Sequence, residues 1–207
     1  LATAAFTPVK GERPNPTDSG YLLCRKARQL LGVPENLILE TSDALDHAYR
    51  GNTVVFIDDF VGSGDQFLKT WASKDTANRS FVQAISKPGF VAIYVTLVTT
   101  DFGLANINRN APGVAVCATH ILEPKSTVFG LTAGNPELKR EIDDFLTRYS
   151  SNLCPTEDYI AMNPSYLIHG YKNRGLMFGF EHSIPDATLP IFWSPGNNNW
   201  EPLIERT

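Results

Sequence analysis

Residues 54 to 66 read Val-Val-Phe-Ile-Asp-Asp-Phe-Val-Gly-Ser-Gly-Asp-Gln: four apolar residues, two adjacent carboxylates, two more apolar residues and a loop of small residues. A run this apolar suits a strand buried on both faces of a parallel sheet. Gly62-Ser63-Gly64 then lets backbone N–H groups turn toward an anion before Phe67, Leu68 and Trp71 take up helical spacing. A phosphate suits such a loop. Asp58 and Asp59 need a different partner, because carboxylates beside a phosphate repel it unless they bind hydroxyls or a metal ion. A sugar phosphate meets both demands. Read alone, Gly-Ser-Gly is equally a tight turn or the site of a different nucleotide.

The rest of the chain alternates strand and helix signals around that segment. Residues 1–19, with Pro8, Pro14 and Pro16, read as an extended arm. Leu22, Leu23, Ala27, Leu30 and Leu31 give a helix from about Tyr21 to Leu31, capped by Asp18 or Ser19 and stopped by Gly32-Val33-Pro34. A short strand at 37–39 and a helix begun by Thr41 or Ser42 lead to the strand at Val54. The β-branched and aromatic run from Phe90 to Val98 is a second central strand. A short helix at 103–108, a strand at 114–119 and a helix starting at Asn135-Pro136-Glu137 follow, the last with Leu138, Ile142, Phe145 and Tyr149 on its buried face. This order predicts an α/β fold with a mostly parallel sheet flanked by helices and joined by right-handed crossovers. One domain is expected, with an α/β core over 20–149 and an extension over 150–207. Strands at 175–180 and 189–193 and the stiffening prolines 185, 190 and 195 make that extension a strand-containing lid; residues 150–173 carry too little periodicity to assign.

With 207 residues, 43% of them hydrophobic and 11% aromatic, the chain has enough apolar surface to bury a core. A net charge of −4 argues against a broad duplex nucleic-acid-binding face. Cys24, Cys117 and Cys154 form no CxxC pair or zinc-ligand spacing, which fits reduced thiols and a cytoplasmic setting. No apolar run reaches the roughly 18 to 20 residues of a membrane span.

The 54–66 segment resembles the signature of the type I phosphoribosyltransferases: apolar residues, an acidic pair, two apolar residues, a variable residue, Thr or Ser, Gly, any residue, and Thr or Ser. The resemblance implies that Asp58 and Asp59 hold the ribose hydroxyls of phosphoribosyl pyrophosphate (PRPP) and serve catalysis. Val61, Gly62, Ser63, Gly64, Asp65 and Gln66 would wrap its 5′-phosphate, with Ser63 supplying the hydroxyl. Gln66 departs from the pattern, and the charge of Asp65 must point away from a bound phosphate. The earlier Asp18-Ser19-Gly20, ahead of a helix, stands where the family holds pyrophosphate. Mg²⁺ is the implied cofactor, accompanying the diphosphate with no direct protein ligand assigned. Gly62 stands where purine-salvage members carry an Asp base, and Arg50 is the only Lys or Arg between Glu40 and Asn52, where others have a lysine-bearing loop.

The segments 181–193 and 200–203 are similar to the tail of a phosphoribosyltransferase-like family linked to prokaryotic conflict and defence systems. What this implies is an effector or nucleotide-handling component of defence, while the wider phosphoribosyltransferase resemblance implies a glycosyltransferase that moves phosphoribose to a base or other acceptor, or a catalytically inactive module that senses PRPP or a nucleotide. Its partner beyond the small molecule would be a second copy or a defence-system protein. His182 and Trp193 are candidate acceptor or lid residues, with Trp200 a third, although tryptophans and single histidines more often serve packing.

Overall fold

The computed structural model describes residues 3–10, 19–154, 165–181, 183–197 and 199–204. The chain forms two compact units, Leu1–Ile121 and Leu122–Thr207, so that the division falls at the end of a strand and ahead of the helix at Pro136.

The first unit is built on a four-stranded sheet of order β1-β2-β3-β4, with β1 at Ala5–Pro8, β2 at Val54–Val61, β3 at Ala92–Thr100 and β4 at Val114–Leu122. All strands are parallel. In β1·β2, Phe6 stands opposite Val55, and in β2·β3 Val55 stands opposite Ile93. Among the described residues, five helices connect the strands: α1 (Ser19–Leu31), α2 (Thr41–Tyr49), α3 (Asp65–Ala72), α4 (Phe81–Ala84) and α5 (Asp101–Asn110).

Period-two alternation along the strands sends side chains into two cores. Val54, Phe56, Ala92 and Tyr94 pack with Ala44 and Leu45 of α2, Phe67 and Trp71 of α3, Phe81 of α4 and Ile107 of α5. Phe6, Val55 and Ile57 pack with Cys24 and Ala27 of α1. In the larger core Phe67 stacks on Tyr94 with centroids 4.2 Å apart and meets Phe56 edge-on at 5.3 Å, favourable geometries for rings of this kind.

Several expectations need correction. The arm contains strand β1: Pro8 is tolerated because it ends an edge strand, where its missing N–H breaks no central ladder. Residues 35–37 form a three-ten turn, and the predicted strand there reduces to one bridge between Ile38 and Phe6. Helix α1 buries its small stripe, Gly20, Cys24 and Ala27, and leaves Leu22, Leu30 and Leu31 exposed. The reason is close approach: a Cβ at Gly20 would lie 3.0 Å from Pro8 Cβ and 3.3 Å from the Ile57 carbonyl oxygen.

The second unit contains α6 (Val128–Leu131), α7 (Pro136–Ser150), a one-turn helix at Tyr166–His169 and three-ten turns at Pro124–Ser126, Tyr171–Asn173 and Pro190–Phe192. The Asn135 side chain caps α7 by accepting from Leu138 N–H at 3.0 Å. Val128, Leu146, Leu189 and Ile191 form its main core, with Ile142 and Tyr149 packed against them. Phe145, expected inside, is half exposed because the buried stripe of α7 runs through Leu146 instead. The two predicted tail strands do not form. Leu176 makes single bridges to Thr127 and Thr188, Gly175 adopts a φ of +58°, and Pro190 opens a three-ten turn.

Candidate functional site

The acidic pair lies in the second half of β2, where ligands of open α/β sheets bind beyond the strands' C-terminal ends. The two carboxyl groups have different hydroxyl donors, and they also interact with each other. Asp58 Oδ2 accepts a hydrogen bond from the Tyr94 hydroxyl at 2.9 Å, and its Oδ1 accepts from the Asp59 N–H at 3.0 Å. Burial, reinforced by the neighbouring Asp59 charge, pushes the Asp58 carboxyl well above the usual carboxylate range, and the bond from Tyr94 opposes this only in part. Burial, then the Asp58 charge, likewise raises the Tyr94 hydroxyl. Asp59 Oδ1 accepts from the Ser19 hydroxyl at 2.8 Å.

Beyond the strand, the loop is pinned to α5. The Gly62 carbonyl accepts from the Thr100 hydroxyl at 2.5 Å, and the Ser63 carbonyl accepts from Asn106 Nδ2 at 2.7 Å. Thr100 also caps α5, its Oγ1 accepting from Gly103 N–H at 2.9 Å. Gly64 has a φ of +81°, and a Cβ there would lie 2.9 Å from Ile107 Cγ1, so the left-handed turn and the close packing of α5 both require glycine. Val61 is buried in the larger core, whereas Gln66 is exposed on α3.

The one hydroxyl of this loop is engaged. Ser63 Oγ donates to Asp65 Oδ2 at 2.6 Å and accepts from Asp65 N–H at 3.3 Å. Asp65 is the first residue of α3, so its carboxylate occupies the end of the helix that favours negative charge.

Of the earlier candidate loop, Ser19 and Gly20 open α1, and Ser19 is brought to Asp59; Asp18 lies outside the described residues. Nearby in sequence, Lys10 pairs with Glu40 at 2.7 Å and the Tyr21 hydroxyl donates to both Glu40 oxygens at 3.1 Å. The hydrogen bond from Lys10 holds the Glu40 carboxyl below its ordinary value. His182 lies outside the described residues. Trp193 is buried with Tyr166 and Ile184 in the second unit and donates its Nε1–H to the Thr188 carbonyl at 3.2 Å. Trp200 packs against that unit's main core.

Tyr94, Thr100, Gly103 and Asn106 are the site residues that the sequence reading missed. A signal existed for two of them, since Thr100-Asp101-Phe102-Gly103 straight after a strand is a helix start of the kind a threonine caps. Nothing local marks Tyr94 or Asn106, whose partners lie 36 and 43 residues away in the chain.

Among the described residues no helix is long and apolar enough to cross a membrane. A search of curated proteins finds no match. A family model, PRTase-CE, matches residues 1–206. The parallel sheet flanked by helices agrees with that match, and the chain belongs to the PRTase-CE family, a phosphoribosyltransferase-like one.

Proposed function

We propose that this phosphoribosyltransferase-like protein binds PRPP or a related ribose phosphate through residues 58–66, with Mg²⁺, and transfers phosphoribose to a base or another acceptor. The observation that carries the reading is the meeting of Asp59 at the end of β2 with Ser19 at the start of α1, beside the loop that α5 pins by its carbonyls. Turning the Gly62 and Ser63 carbonyls toward α5 leaves the other edge of the loop backbone for an anion. Asp59 would hold a ribose hydroxyl, and its charge would favour the positive charge that builds on the sugar as the leaving group departs.

Mg²⁺ enters as the diphosphate's companion. The ion would be held mainly by phosphate oxygens and water, with Asp59 as an acceptor for its hydration shell. When bound, the ion would neutralise charge on the departing diphosphate. A role in prokaryotic defence, with a second copy or a defence-system protein as partner, rests on the resemblance of the phrase from Ile57 to Gly64 together with the tail.

Calorimetry with PRPP and Mg²⁺, followed by an assay of pyrophosphate release with a panel of bases and nucleosides, tests the reading. Binding with release supports transfer. No binding at millimolar PRPP sinks both transfer and sensing. Binding without release favours the second reading, an inactive PRPP- or nucleotide-sensing module; the structural motive for it is that both Asp58 oxygens and the Ser63 hydroxyl already have protein partners.

A further inference from the structure

We infer that Asp65 is a resident anion of the phosphate loop, a carboxylate that competes with a ligand's 5′-phosphate for the Ser63 hydroxyl and so sets which ligands the loop accepts. The inference rests on reading residues 58–66 as a ribose-phosphate site. Ser63 is the only hydroxyl residue between Val61 and Gln66, and its hydrogen is directed at Asp65 Oδ2 at 2.6 Å, the short distance of a charge-assisted bond. The same residue's N–H points back to Ser63 Oγ at 3.3 Å, so side chain and backbone of Asp65 close a ring around the hydroxyl. The loop cannot swing away to offer Ser63 from another direction, because its carbonyls are held by Thr100 and Asn106 and Gly64 is packed against Ile107.

A phosphate that reaches this loop must therefore take the Ser63 hydrogen from a carboxylate and then sit beside that negative charge. Both effects act in one direction. Ligands whose sugar carries a 5′-phosphate are weakened, and those with an uncharged 5′ group lose nothing to Asp65. The residue thus works as a specificity determinant, holding phosphate affinity down until other contacts of the ligand, at the ribose and the diphosphate, supply the rest.

The test is calorimetry with ribose 5-phosphate and with ribose as the uncharged control, on the wild-type chain, Asp65→Ala, Asp65→Asn, Ser63→Ala and the Ser63→Ala/Asp65→Ala double variant. Asp65→Ala frees the hydroxyl and removes the charge; Asp65→Asn removes the charge alone and guards against a folding defect in the first. The expected result is ribose 5-phosphate bound about ten- to a hundredfold more tightly by Asp65→Ala, with a smaller gain in Asp65→Asn and no change for ribose. Ser63→Ala should matter little in the wild-type chain and should cancel most of the gain in the double variant. Tight wild-type binding that either Asp65 variant leaves unchanged or weakens overturns the inference while the site reading stands. Absence of ribose 5-phosphate binding in every variant at millimolar ligand overturns both.

Discussion

Replacing Gly103 by alanine sets two physical effects of opposite sign against each other. Gly103 lies in the first turn of α5, and by helix propensity alone alanine should stabilise by up to about 1 kcal/mol. The structure reverses the sign. A Cβ at this position would stand 2.6 Å from the Gly62 carbonyl oxygen, 3.0 Å from Val61 Cγ1 and 3.1 Å from the Val61 carbonyl oxygen. Two of these are backbone atoms, and the Gly62 oxygen is the one held by the Thr100 hydroxyl at 2.5 Å, so relief requires moving the helix or the loop. Overpacking of this kind costs about 1–3 kcal/mol, and weakening the Thr100 bond adds about 0.5–1.5 kcal/mol. The net expectation is a loss of about 1–3 kcal/mol, seen as a lower urea midpoint and a thermal midpoint reduced by roughly 2 to 4 °C per kcal/mol. Gly179→Ala is the control, because among the described residues its Cβ would meet only Ile184 at 3.6 Å and Ile204 at 3.8 Å, ordinary contacts that should leave stability unchanged. A Gly103→Ala protein more stable than the parent would refute the close seating of α5 on the loop.

Asp58→Asn should flatten the pH dependence of stability. The folded-state pKa of Asp58 is raised above its unfolded value, so the folded state binds the extra proton and stability falls as pH rises from about 4 through the folded pKa; urea midpoints across that range should show the slope in the parent and not in the variant. Trp193→Ala should destabilise by about 3–5 kcal/mol, since the ring is buried in the second unit's core, and denaturant unfolding that shows less than 1 kcal/mol, roughly the cost of a surface change, would contradict that placement. At neutral pH a maleimide should label exposed Cys117 first and leave Cys24 unreacted until the chain unfolds, because burial pushes the Cys24 thiol up to about 12; mass spectrometry of the labelled peptides reads the order.

The parts of the fold that were legible in the sequence are those whose pattern is local. Strands β2 and β3 carry continuous apolar, β-branched runs long enough to exclude other readings, and α7 announces itself by Asn135-Pro136. Strand β1 was hidden because four residues ending in proline carry almost no local preference; its extended state is fixed by pairing with β2, from Ala5 opposite Val54 to Pro8 opposite Ile57. The tail misled for the opposite reason. Residues 175–180 and 189–193 have strand-like composition, yet with Gly175 in a left-handed turn and Pro190 unable to donate, neither stretch finds a partner over more than one residue.

The candidate site shows the same division between type and placement. Sequence supplies two adjacent carboxylates, and treating them as one unit that grips two ribose hydroxyls follows naturally from their adjacency. The structure gives each acid its own hydroxyl donor, Tyr94 for Asp58 and Ser19 for Asp59, while the two carboxyl groups stay close enough to interact. With both Asp58 oxygens bonded to protein donors, its burial raising its pKa, and no basic partner among its hydrogen bonds, Asp58 is suited to hold the strand end in place. Asp59, whose bond from the rotatable Ser19 hydroxyl can be exchanged for one from a ligand hydroxyl, is the carboxylate suited to face a sugar. Under the proposed function the two acids would serve for different reasons, Asp58 to fix the backbone from which the loop departs and Asp59 to meet the ligand's sugar.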